Sequence, residues 1–99
     1  MYEHITEMEN KMVQLEGLVR ELEAVLDRAD AAEEDYAALV SYYYSEQRSQ
    51  DLADDENGRI PQDLHRGVLS EDEIFDLMGD HRELGLRMIQ MGLNMVRNT

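Results

Sequence analysis

The sequence predicts an all-α fold: a small helical bundle in which long N- and C-terminal helices run antiparallel, with shorter helices and an irregular connector between them. Three observations predict it. Ile5, Met8, Met12, Leu15, Val19, Leu22, Leu26 and Ala29 recur at alternating spacings of three and four, the period of one helical face. Ile74, Leu77, His81, Leu84, Met88, Met91 and Met95 repeat that pattern toward the other end. Between them, Ile60–Asp72 (IPQDLHRGVLSED) holds the chain's one proline, a glycine and a helix-start signal.

The first stripe predicts a helix from about Tyr2 to about Asp30. Leu18 and Val25 widen its apolar face, as packing in a bundle requires. Glu16 with Arg20, and Glu7 with Lys11, stand four apart and can pair along the surface. Gly17 costs about 1 kcal/mol against alanine. At Asp30 the register falters, because the next stripe position is Glu33. Asp30-Ala31-Ala32-Glu33 can cap a new helix, so the expectation leans to a kink or short interruption. The alternative is one helix to about Tyr44, since no glycine or proline forces a break.

Tyr36, Leu39, Val40, Tyr43 and Tyr44 make a second apolar face. Tyr42, Tyr43 and Tyr44 are consecutive, so they span about 200° of a helix and cannot all face one core. One ring at least is expected near the surface, where a tyrosine suits an interface. The plainer reading is that the rings cover the connector within the chain. Ser45 can cap a short helix over about Glu46–Asp54, anchored by Leu52 and Ala53 and stopped at Asn57-Gly58.

In the connector, Pro61 sets a turn over Pro61–Leu64, and Gly67 is expected to bend the chain through a positive φ. Ile60, Leu64, Val68 and Leu69 are its expected anchors. Arg66 is expected against a ring, or paired with Asp63 or Glu71. Ser70-Glu71-Asp72-Glu73 has the form of a capping box, with Leu69 and Ile74 placed as a hydrophobic staple. The last helix is expected from Ser70 to about Arg97. Each long helix then has about 27 residues, or about 40 Å.

Tyr43, Tyr44 and Ser45, Asp54-Asp55-Glu56 with Gly58, Pro61-Gln62-Asp63-Leu64 and the run Arg66-Gly67-Val68-Leu69-Ser70-Glu71-Asp72 resemble a small bacterial domain-of-unknown-function family, DUF4298. The likeness covers roughly the second half of the chain; the first helix matches in character only. It implies a bacterial or phage source and an intracellular domain, and supplies no catalytic residues.

Composition narrows the function classes. A chain of 99 residues predicts one domain over 1–99 with a modest core. With no cysteine, disulfides and thiolate metal sites are excluded. No long apolar run predicts a membrane span, and no signal peptide is read at the start, so the cytoplasm is expected. A net charge of -14 and a pI near 4.3 argue against direct nucleic-acid binding. The surface reads first as a solvated one.

Asp55-Glu56-Asn57-Gly58-Arg59-Ile60 resembles the middle of an EF-hand loop, but the terminal ligand positions fall on Ala53 and Leu64. His81 on an apolar stripe reads as a structural histidine. No Glu-x-x-His repeat, nucleophile elbow or phosphate loop is present. No cofactor, no metal and no catalysis are therefore expected. The leading expectation is a protein-interaction or accessory module with an unidentified protein partner, self-associating as a homodimer through the methionine-rich last helix. The alternative is an acidic nucleic-acid mimic that inhibits a DNA-binding protein. The residues singled out for interaction or structure are Tyr42, Tyr43, Tyr44, Asp63, Arg66, Gly67 and Ser70.

Overall fold

The computed structural model describes residues 1–99 and is all-α: three α-helices, one 3-10 turn and no strand. The helices are α1 (Glu3–Tyr43), α2 (Glu46–Glu56) and α3 (Glu73–Arg97), with the 3-10 turn at Gly67–Leu69. The chain divides into two compact units, Met1–Tyr36 and Ala37–Thr99.

The first unit is helical from Glu3 onward and buries no side chain. Its apolar stripe is exposed throughout, from Ile5 at 55 % to Leu26 at 47 %. The predicted pair of Glu16 and Arg20 closes at 4.0 Å between two exposed side chains. The expected interruption at Asp30 is absent, and α1 continues to Tyr43. Ala29, Ala31 and Ala32 flank Asp30 with the best helix-forming residue, and with no proline or glycine nearby the cap at Asp30 goes unused.

The second unit is built around Ile74, the single buried side chain, at 3 % exposure. Met78 and His81, four and seven residues further along α3, are half-buried, which marks that face of the helix as the inner one. The 3-10 turn contacts both α2 and α3. Of the expected connector anchors, Ile60 and Leu69 are half-buried, whereas Leu64 stands out at 57 % exposure and Val68 at 40 %.

Three end signals hold as read. Ser45 caps α2, its Oγ accepting from the Arg48 amide at 3.2 Å. At the other end, Gly58 takes φ +68. Its amide donates to the Asp55 carbonyl at 3.1 Å, and the Arg59 amide donates to Asp54 at 2.9 Å. That pair of bonds is the Schellman arrangement, which needs a left-handed residue where Gly58 stands. The Pro61 turn closes through the Leu64 amide at 3.1 Å.

The start of α3 differs. The helix begins at Glu73, not Ser70: its ladder opens with the Asp76 amide donating to the Asp72 carbonyl at 2.8 Å, while the Ser70 amide closes the 3-10 turn on the Gly67 carbonyl at 3.0 Å. Half of the capping box survives, with the Glu73 amide donating to Ser70 Oγ at 3.1 Å. Gly67 is not the expected positive-φ bend, since Gly58 alone has that geometry. Its small size serves instead: a Cβ there would meet the Glu73 carboxylate.

Candidate interaction site

The tyrosine run lies at the end of α1 and sorts its three rings differently. Tyr42 and Tyr43 are half-buried, and Tyr44 is 71 % exposed. The apolar face therefore takes Tyr42 in place of Tyr44. Tyr43 and Tyr44 meet edge to face, with centroids 5.0 Å apart and planes at 85°, the geometry that ring quadrupoles favour.

Each inner ring is held by α2. The Tyr42 hydroxyl donates to Asp51 Oδ2 at 2.6 Å, while Gln47 donates to the other carboxylate oxygen at 2.8 Å. Donation from Tyr42, with burial and the nearby carboxylate charge, pushes the Tyr42 hydroxyl above the usual tyrosine range. The same bond, and that from Gln47, hold the Asp51 carboxyl below its usual range.

Over the Tyr43 ring lies the guanidinium of Arg48, 4.7 Å from the centroid. Arg48 Nε donates to the Val68 carbonyl and Nη2 to the Ser70 carbonyl, each at 3.1 Å. One fork thus bonds two carbonyls at the 3-10 turn while its charge stands over a ring, a combination lysine cannot provide. Arg48 thus links the Tyr43 ring to the connector at the Val68 carbonyl. Ser45 adds a bond from its Oγ to the Tyr42 carbonyl at 2.6 Å.

Arg66 neither lies against a ring nor pairs with Asp63 or Glu71. It pairs with Asp55 at 3.3 Å and donates to the Pro61 carbonyl at 3.4 Å. Asp63 is exposed in the Pro61 turn. Asp54 pairs with Arg59 at 3.5 Å. The segment likened to an EF-hand is helical as far as Glu56, and its Asp55 carboxylate is engaged by Arg66, as that of the preceding Asp54 is by Arg59. No group of three His, Asp or Glu side chains is placed to hold a metal.

Arg48 and Asp51 are the residues that sequence reasoning missed, and Asp55 was not foreseen as the partner of Arg66. Tyr42 and Asp51 are nine positions apart across a helix end, outside the three-and-four spacings that betray a pair. Ser45 and Arg48 offered a faint clue, since a capped amide fixes the first turn of α2 and so aims the arginine.

The family model described as a domain of unknown function, DUF4298, matches residues 5–91. The chain belongs to that family. The DUF4298 match takes in the stripe of α1 from Ile5 as well as the clamp around Arg48, so it extends well beyond the half in which the sequence motifs lie. No curated protein and no solved structure matches the chain. No helix is long and apolar enough to cross a membrane.

Proposed function

We propose that this chain is a bacterial, cytoplasmic interaction or accessory module that acts by contact and not by catalysis. Its partner is another protein, engaged through the apolar face of α3 beyond His81. One observation carries this reading. Leu84, Met88, Met91 and Met95 stand 55, 42, 49 and 50 % exposed along one stripe, on a helix whose inner face is spent at Ile74, Met78 and His81. Methionine side chains adapt to irregular partner surfaces, and a helix face with this spacing fits an apolar groove. Past Glu83 there is no acid, while Arg87 and Arg97 remain. The partner groove is therefore expected to carry an acidic rim. A second copy of this chain does not fit that requirement at α3, since its own last helix carries Arg87 and Arg97 and no acid beyond Glu83.

The test is affinity retention of proteins from the native cell extract by the intact chain and by a Met91→Glu, Met95→Glu variant. The variant's helicity is checked by circular dichroism. The expected result is loss of specific partners at unchanged helicity; retention of the same set by both chains would overturn the reading.

The nucleic-acid mimic is the weaker alternative. The regular acid row on α1, Glu9, Glu16, Glu23 and Asp30, repeats every seven residues, or about 10.5 Å. DNA carries a charge every 3.4 Å or so of each strand.

A further inference from the structure

The stripe of the first unit can be written as heptads. Ile5, Met12, Val19 and Leu26 take the a positions; Met8, Leu15, Leu22 and Ala29 take the d positions. None of these side chains is buried, and the large ones are 39 to 59 % exposed. Gly17, the one weak helix former, falls at f, the position furthest from the seam.

We propose that residues 5–29 of α1 form a parallel, two-stranded coiled coil with the same residues of a second copy of this chain. The flanking charges decide both occupant and direction. The e positions are Glu9, Glu16, Glu23 and Asp30, and the g positions are His4, Lys11, Leu18 and Val25. An antiparallel pair sets e against e, so a row of four acids would face its own copy. A parallel pair sets g against the following e of the other strand. Lys11 of each copy then faces Glu16 of the other, twice by symmetry, and Leu18 and Val25 extend the apolar seam. The core residues agree. Two of the four a positions are β-branched (Ile5 and Val19) and two of the d positions are leucine (Leu15 and Leu22), the combination that favours two parallel strands. The same surface, from Met8 to Glu23, forms an open apolar groove edged by Lys11, Glu16 and Arg20. Self-association is thereby assigned to α1, which leaves the α3 face to a different protein.

The chain has no cysteine, so any introduced thiol can pair only with another copy. Disulfide formation requires Cα atoms within about 7 Å. Met8→Cys and Leu26→Cys are made singly in the full chain and oxidised mildly. In a parallel pair each variant links to itself, and sedimentation of the unmodified chain shows a dimer. Linking only in a mixture of the two variants would mean antiparallel strands and overturn the proposal. So would a chain that remains monomeric at high micromolar concentration, which is the result if its stripe is covered from within. Lys11→Glu at the exposed edge leaves folding intact and is expected to weaken the dimer about fivefold, as two attractive pairs become repulsive. Adding Glu16→Lys restores it; no recovery would equally sink the idea. A chain that stays monomeric yet loses its partners on Met91→Glu, Met95→Glu overturns this inference and leaves the α3 reading standing.

Discussion

Arg48, on α2, joins the end of α1 to the turn before α3. It lies on the Tyr43 ring and bonds two carbonyls at the turn before α3. Arg48→Ala is expected to lower unfolding stability by about 2 kcal/mol, the scale of charge-assisted bonds discounted for partial exposure. Arg48→Lys should recover little of it, because an ammonium lacks the fork that reaches both carbonyls from over the ring. Arg66→Ala should cost only about 0.5 kcal/mol, since its pair with Asp55 is about one-third exposed. Urea denaturation of the three variants checks the ranking, and an Arg66 cost above that of Arg48 would contradict it. Tyr42→Phe carries a pH signature. The lowered Asp51 group stabilises the fold above its ordinary value near 4, and that contribution is lost as pH falls through its folded value. The raised Tyr42 group stabilises below its ordinary value near 10, and that is lost as pH rises beyond it. The stability gap between wild type and Tyr42→Phe should therefore be widest at neutral pH and narrow at both extremes. A gap constant from strong acid to alkali would mean that the hydroxyl and carboxylate do not meet.

Elements here depend on their ends more than on their interiors. The exit of α2 needs Gly58 in a left-handed conformation, so Gly58→Ala should cost about 1 kcal/mol. Gly67→Ala should cost less, because the Glu73 carboxylate it meets is the free end of a flexible chain. Thermal melts of both variants test the order, and a larger loss at Gly67 would mean that Glu73 cannot move. The interior of α3 has one dominant position. Ile74→Ala removes the single fully sheltered side chain and is expected to cost about 2–4 kcal/mol. Helix ends were legible because capping is local: Ser45, Asn57-Gly58 and Ser70 act within three or four residues of themselves. The start of α3 was misplaced by three residues because the helical ladder opens at the Asp72 carbonyl, after the 3-10 turn has closed. The Ser70 amide is taken by that turn's bond to Gly67, which leaves the capping box half made.

At the scale of the molecule, net charge sets how two chains can meet. Chains of charge -14 repel, and the Debye length falls from about 30 Å at 0.01 M salt to about 10 Å at 0.1 M. The proposed dimer should therefore tighten as salt is added, because screening relieves the overall repulsion more than it weakens the Lys11–Glu16 pair. Sedimentation across a salt series checks this, and a dimer that loosens with salt would show that the edge pairs dominate. The sequence by itself determined the all-α class, the helical period of α1 and α3, and both ends of α2 at Ser45 and Asn57-Gly58, since each depends on neighbours three or four residues away. Tertiary structure alone decided that Arg48 and not Arg66 lies over a tyrosine, that Asp51 receives Tyr42, and that Ile74 is the one residue fully sheltered. Those outcomes depend on how α2 and the connector fold back on the end of α1, a distance in space that spacing along the chain does not encode.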